Sequence, residues 1–392
     1  MVYIVVLILL LIPAIRYDFL AKKGGEKAWY YVNLLILILL AGLRYRVGGD
    51  TGHYMQTFDA LPNLSRLSSF EFGRAYYMPL WYVYNAVFRS FGGYYLFQMV
   101  QAIIINTVFL WFFKKYSPRY FTAIVIYFVG YYFYINMDIM RQAVCICIFL
   151  LSYKYLEEKK LLQYYILALL AVGFHMSAAF LLIVPLVRLS RKKFAIVGGI
   201  LLLLLFMVRI QNNVEHIATI MTKSKLDLWT YYITDRLHYY IESSRLNIIG
   251  MTVRFLLCVP FLIILIIKWF VWKKEDKIID NMMLLLVFVQ ISSLMFPAFG
   301  RFSYYIYPVG IVFLINEIWQ NKAIIKANKL VRLFVAGALF VFLVNISYYY
   351  IMNQFDYKEK AHVYHRYIPY HSVFDPVEDE FREDYLSHIH GK

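Results

Sequence analysis

Charge is scarce in this sequence. Asp, Glu, Lys and Arg supply 16% of its 392 residues, where soluble domains carry about a quarter. Acidic residues are the scarcer sign, 24 against 40 basic ones, which leaves a net charge of +16. Cysteine is rarer still: Cys145, Cys147 and Cys258 are the only three, each inside an apolar run. A disulfide-stapled secreted scaffold is therefore excluded, and the thiols read as small packing residues. Long basic tracts are also missing. Lys and Arg come in short clusters (KKGGEK, KKYSPR, EEKK, RLSRKK, KKEDK) between apolar blocks. Loops on the cytoplasmic face of a membrane have this pattern, so the positive charge implies no nucleic-acid partner. The first block has neither a basic n-region nor a small-residue cleavage site, and reads as a retained short helix rather than a signal peptide.

Hydrophobic residues make up 62% of the chain, in blocks such as VYIVVLILLLIPAI, NLLILILLAGL, AIVGGILLLLLFMV and FLLCVPFLIILIIKWFVW. A bilayer core takes about 20 apolar residues per spanning helix. The fold class is an all-α polytopic integral membrane protein with about ten full spans. They are placed at Val2–Ile15, Tyr30–Leu43, Tyr94–Phe113, Phe121–Asn136, Met140–Leu156, Phe194–Val208, Ile249–Val271, Met282–Ala298, Ser303–Ile318 and Arg332–Tyr349. The loop Arg16–Lys27 holds four basic residues and faces the cytoplasm, which puts the N-terminus outside. Alternation then places KKYSPR, KYLEEKK, KWFVWKKEDK and KAIIKANKLVR inside, and each is basic.

Two segments break the simple count. YYMPLWYVYNAVF (Tyr76–Phe88) is short and aromatic, and reads as interfacial or re-entrant on the outer side. Leu161–Val187 is flanked by basic loops at both ends, and its 27 residues are too few for two full spans. A hairpin of two short helices broken near Gly173–Phe174–His175 satisfies both ends. Such breaks at membrane depth occur where protein or water surrounds them. The domain reading is a membrane domain over residues 1–350, with outer loops at about 44–93 and 210–248. A hydrophilic, solvated tail over 351–392 faces outward, so the C-terminus is also outside.

Ionisable residues at helix ends in such a protein are site candidates. The first cluster is AGLRYRVGGDTGHY, from Ala41 to Tyr54: Arg44 and Arg46 leave the membrane, Gly48 and Gly49 turn the chain, and Asp50, His53 and Tyr54 follow. The bland account is a snorkelling arginine pair with Asp50 as an N-cap. The second is NMDIMRQAV, with Asp138, Arg141 and Gln142; Asp138 and Arg141 stand at i,i+3, the spacing of a local salt bridge. A cation at Arg141 opposes the dipole of the helix it starts, which favours a functional role. The third is His175 at the inferred break, with a side chain suited to proton transfer or to bonding a phosphate. The fourth is FPAFGRFSYYIYP, where Arg301 follows a Pro/Gly break and Tyr304, Tyr305 and Tyr307 read as interfacial belt residues. All four fall on the outer side of this topology. Arginines gathered there suit an anionic, lipid-linked ligand, and pyrophosphate is the natural one.

In order and content these motifs resemble the EpsG family of Wzy-type polysaccharide polymerases. LRYRVGGDTGHY, then MRQAVCICIFLLSYKYLEEKKLLQYYILALLAVGFHMSAAF, then GRFSYY carry the resemblance across most of the membrane portion. Gly49 stands where members often have a small polar residue, and Gly52–His53 precede the tyrosine, but Arg44, Gly48, Asp50 and Tyr54 remain. The tail from Ile351 lies outside it. The resemblance implies a GT-C-like architecture in a bacterial cytoplasmic membrane. It also implies polymerisation of undecaprenyl-diphosphate-linked oligosaccharide repeat units into capsular, exopolysaccharide or O-antigen chains on the outer face. Membrane lipid, a chain-length regulator and a flippase are the implied partners, with no cofactor and no metal. Arg141 and Arg301, with Arg44 or Arg46, would hold the donor pyrophosphate. His175 or Asp50 would be the general base, with Asp138, Gln142, His53, Tyr54 and Tyr304 in support.

Three rivals share some of these features. An O-antigen-type ligase would use the same donor, but usually carries a larger outer loop than Gln211–Asn247. A membrane glycan acyltransferase would also use a membrane His, yet tends to carry a His/Arg pair in its first spans. A lipid-linked sugar transporter would show charges through several spans rather than at one face.

Overall fold

The computed structural model describes residues 1–69, 78–210, 256, 258–347 and 363–389. The outer loop expected at 210–248 lies almost wholly outside the described residues, as do the start of the span from Ile249 and residues 351–362 of the tail. Among the described residues there are no strands, only isolated bridges of Ser372 to Arg44 and Asp375. Four helical stretches among the described residues are long and apolar enough to cross a membrane: Val2–Phe19, Gly93–Tyr116, Lys277–Met295 and Pro297–Gln320. Ile4, Val5, Ile8, Leu35, Leu203, Leu333 and Phe340 point outward, an arrangement that suits lipid as the surrounding medium. The described residues are nearly all helical, and their apolar helices are those of a membrane protein.

Two compact units divide it, the first made of residues 1–72, 77–182 and 346–392, the second of 73–76 and 183–345. The first unit contains α1 (Val2–Pro13, widening into a π-turn over Ala14–Phe19), α2 (Glu26–Gly42), α3 (Thr51–Ala60), α4 (Pro79–Phe91) and α5 (Gly93–Tyr116). After α6 (Tyr120–Tyr127, continued by π-turns to Asp138) come α7 (Met140–Glu157) and α8 (Leu161–Val172). At 1.5 Å per residue α5 is about 36 Å long, enough to cross the hydrocarbon core. Lys114 and Lys115 complement the negative end of its dipole.

Polar side chains on α5 set where its neighbours stop and start. Gln98 Nε2 donates to the carbonyls of Gly42 (2.8 Å) and Arg44 (2.9 Å), fixing the end of α2. Gln101 Nε2 donates to the Met140 carbonyl at 2.5 Å, fixing the start of α7. One turn deeper, Asn106 donates to Asn136 Oδ1 at 2.9 Å, and Asn136 donates to the Tyr127 hydroxyl at 2.8 Å. Unpaired polar groups in a membrane interior cost several kcal/mol, so these amides lock the register of helices whose apolar faces alone would slide.

The break expected at 173–175 is present. α8 stops at Val172, the chain turns, and a 3₁₀ segment over Met176–Leu182 doubles back, with the Tyr164 hydroxyl donating to the Leu181 carbonyl at 2.9 Å. At twelve residues α8 is about 18 Å long, well short of the bilayer core. α4 is the short aromatic helix expected near Tyr76–Phe88. Its Leu80 N–H donates to the Gly173 carbonyl at 2.8 Å, and a Cβ on Gly173 would sit 2.5 Å from Leu80 Cδ1. Glycine at the break therefore lets α4 close on it.

The C-terminal segment departs from the solvated tail expected of it. A 3₁₀ turn over Val363–Arg366 and helix Glu380–Ile389 belong to the first unit, and Tyr367 and Arg382 are buried. Arg382 donates to the carbonyls of His365 (3.0 Å) and Pro369, which folds the segment on itself.

The second unit contains α9 (Arg191–Ile210), α10 (Val259–Ile267, opening into a π-turn over Lys268–Trp272), α11 (Lys277–Met295) and α12 (Ser303–Gln320), then Lys322–Ala327 and Lys329–Ser347. Asp276 caps α11 by accepting from the Ile278 and Ile279 N–H groups. Tyr305 and Tyr307 are buried, with Gln290 Nε2 donating to the Tyr307 hydroxyl at 2.7 Å. The belt reading fails for these two because both are buried; the Tyr307 phenol finds the partner that a buried hydroxyl needs on α11. Lys268 is also not a loop charge. Its ammonium, 3% exposed, lies 2.8 Å from Asp280 Oδ1 and 2.8 Å from Glu317 Oε1.

Candidate functional site

Three of the four sequence clusters meet within the first unit. The turn after α2 is built around glycine. Gly48 has φ +119°, and a Cβ there would lie 2.6 Å from the Met137 carbonyl oxygen, so the turn presses directly on the segment ahead of α7. Thr51 Oγ1 donates to the Val47 carbonyl at 2.8 Å and approaches the Met137 carbonyl at 3.2 Å. The Gly49 N–H donates to Asp138 Oδ1 at 2.6 Å. Gly48→Ala combines a left-handed φ with a backbone clash. It is expected to destabilise the protein by about 2–4 kcal/mol, read as a lowered Tm in detergent; Gly52→Ala, with open space around its Cα, is the near-neutral control.

The two arginines of this turn are already engaged. Arg44 is 1% exposed; its guanidinium donates to the carbonyls of Val47 (3.0 Å) and Ala41, and approaches the Met140 sulfur at 3.5 Å. It acts as a side-chain cap on the C-terminal end of α2. Arg46, at φ +51°, is gripped by both oxygens of Glu383 (2.9 and 2.7 Å) and by Glu378 (3.1 Å). Both would have to exchange partners to meet a phosphate.

Asp50 occupies the N-cap position of α3, without a side-chain capping bond to that helix. Tyr54 is buried against Trp81, with ring centroids 6.1 Å apart, and His53 lies exposed beside it. Arg141 stands half-buried in the first turn of α7, its guanidinium carbon 5.9 Å from the Tyr54 ring centroid. Gln142 is buried next to it.

Asp138 lies ahead of α7 rather than within it, so the i,i+3 geometry expected with Arg141 does not arise. Its carboxylate accepts from Gly49, from the Tyr367 hydroxyl at 2.7 Å and from Arg366 at 3.3 Å. Burial, reinforced by the nearby Asp50, outweighs these partners and pushes the carboxyl up to about 6.

His175 reaches this region through α7 and α8. Cys145 Sγ lies 3.5 Å from the Arg141 carbonyl and 3.2 Å from the Ala171 carbonyl, and the His175 N–H donates to that same Ala171 carbonyl at 3.2 Å. The Ser177 N–H donates to His175 Nδ1 at 3.0 Å, with Ser177 Oγ at 2.8 Å. A neutral imidazole whose Nδ1 accepts carries its proton on Nε2. Nε2 is then a donor, which suits an anion better than it suits proton abstraction.

Arg301 and Tyr304 belong to the second unit, on the 3₁₀ turn Pro297–Phe302 and in the first turn of α12. Tyr304 packs on Tyr307 at 5.8 Å between centroids. Sequence reasoning missed Arg366, Tyr367, Glu378 and Glu383, which no local pattern links to the glycine turn. It also missed Gln98, Gln101 and Asn106, for which there was a signal: amides within the long apolar run of α5.

A family model, EpsG family, matches residues 27–372. The match reaches past Ile351 into the C-terminal segment that the motifs left uncovered. No curated protein and no solved structure matches the chain.

Proposed function

The chain belongs to the EpsG family, and from that membership we propose that it polymerises oligosaccharide repeat units carried on undecaprenyl diphosphate. The reading takes the ten-span topology with both termini outside, a GT-C-like architecture, and the candidate site on the outer face of a bacterial cytoplasmic membrane. A flippase that delivers repeat units and a chain-length regulator are the partners it calls for.

The observation that supports the reading is the approach of Arg141 to Tyr54 of α3, the helix that Asp50 precedes, with the Arg141 carbonyl linked through Cys145 to the Ala171 carbonyl that His175 also bonds. In the reaction, the bond between the anomeric carbon of the growing chain and its lipid pyrophosphate breaks, and charge develops on the pyrophosphate oxygen. Arg141 and the Nε2–H of His175 are donors of the right sign for that charge. A hydroxyl at the non-reducing end of the incoming lipid-linked unit forms the new glycosidic bond, and its proton passes to a base. With His175 oriented as a donor, Asp50 takes that role. Arg44 and Arg46 enter as scaffold, and Arg301 is left outside the assignment.

The test is gel analysis of lipid-linked glycan in cells lacking the gene, with and without complementation by the wild type. Single repeat units accumulating on the carrier, restored to long chains by the wild type, are expected. Normal-length lipid-linked chains in the null strain would remove the polymerase reading.

A further inference from the structure

Asp138 connects parts of the site that the sequence keeps far apart. One carboxylate oxygen accepts the Gly49 N–H at 2.6 Å, and the residue stands directly ahead of α7, whose first turn carries Arg141. The other oxygen faces the C-terminal segment, where the Tyr367 hydroxyl donates at 2.7 Å and Arg366 at 3.3 Å. Backbone bonds hold that segment along the loop after α2: Gly48 N–H to the Arg366 carbonyl, Tyr45 N–H to His371 and Val373 N–H to Leu43, each 2.8 Å. Gly49 leaves room for Arg366, because a Cβ there would come within 3.1 Å of Arg366 Cδ.

We propose that Arg366 and Tyr367 are positioning residues of the candidate site: they orient the Asp138 carboxylate so that it fixes the Gly48–Gly49 turn, and with it Asp50, against the start of the helix bearing Arg141. The inference rests on the polymerase reading for its activity readout and on geometry alone for the rest. Among the described residues, the charged and titratable groups that act on Asp138 are Asp50 and Arg44 from the loop after α2, and Arg366 and Tyr367 from the C-terminal segment. Only the ionised carboxylate accepts from all three donors, so acidification through about 6 releases them and activity falls on the acid side. Arg366 and the Tyr367 hydroxyl both favour the ionised form. Removing either moves the acid limb to higher pH.

The experiment uses the full chain with Tyr367→Phe, Arg366→Gln and, as a docking control, Tyr370→Phe. Tyr370 donates from the same segment to the Leu40 carbonyl at 3.1 Å. Elongation of lipid-linked units is followed against pH in membranes with matched protein levels. The Tyr367→Phe and Arg366→Gln limbs are expected to rise by about one unit, and the Tyr370→Phe limb to stay at the wild-type value. Limbs that superimpose on the wild type, or a Tyr370→Phe limb displaced equally, would overturn the proposal. Hydrogen exchange of the peptide over residues 43–56 in purified protein reads positioning without catalysis. Arg366→Gln is expected to speed it about tenfold, and an unchanged rate would also overturn the proposal. If the wild type fails to elongate, the polymerase reading falls and the exchange rate alone decides this one.

Discussion

Arg141→Ala is expected to leave single repeat units on the lipid carrier, with elongation reduced about 10²–10³-fold at wild-type protein level. The magnitude follows from removing one donor aimed at charge that develops only in the transition state. The unchanged protein level follows from position. A cation in the first turn of α7 works against that helix's dipole, so losing it leaves helix stability intact or raises it by about 0.3–1 kcal/mol. The Tyr54 ring, 5.9 Å away, loses a cation–π contact worth about as much, and the two offset. Arg141→Lys keeps the charge but loses the planar fork that meets two phosphate oxygens, and is expected to fall between. Immunoblots of the membrane fraction beside the glycan gel make the check. Full-length chains from Arg141→Ala would end the assignment of this residue.

Lys268→Ala is expected to have the largest effect on folding. The ammonium bridges Asp280 on α11 and Glu317 on α12, and all three side chains are buried. Asp280 also accepts from the Trp269 indole at 2.9 Å and from the Asp276 N–H at 3.0 Å, and Asn321 lies 3.4 Å from Glu317 Oε2. Removing the lysine strands two carboxylates together. Breaking a buried pair costs about 3–5 kcal/mol, comparable with the whole stability of a marginal protein. Lost membrane protein and a Tm lowered by many degrees in detergent are the expected readings. Adding Glu317→Gln to Lys268→Ala removes one of the stranded charges and is expected to recover part of the loss. Wild-type Tm for Lys268→Ala would show that the triad carries no net stability.

Much of this was legible in the sequence, and the rest was hidden for identifiable reasons. The membrane class followed from apolar runs, and the helix break followed from parity: a segment flanked by basic loops at both ends must return to the side it left. The glycine turn followed from Gly48–Gly49 beside charges. Lys268 was masked by its setting, because in KWFVWKKEDK it looks like one more loop lysine. Glu317, alone inside SYYIYPVGIVFLINEIWQ, was the available warning, since an acid in an apolar helix implies a buried partner. Arg46 could not be read at all: its partners lie 332 and 337 residues further along, and no periodicity spans that distance. The aromatic run after Arg301 resembles an interfacial belt by composition, and only three-dimensional packing distinguishes a tyrosine in a belt from one bonded inside a core.

Chain order has a consequence for biosynthesis. Tyr3 donates to the carbonyl of Tyr367, 364 residues further along, at 2.5 Å. Residues leave the ribosome in chain order, so the glycine turn waits for Arg366 and Tyr367 until the helices between them have been made. A chain ending near residue 350 would hold every helix of the first unit up to α8 around an unfinished turn. Completion of the turn is therefore a late event, set by the arrival of the C-terminal segment rather than by the insertion of the helices around it.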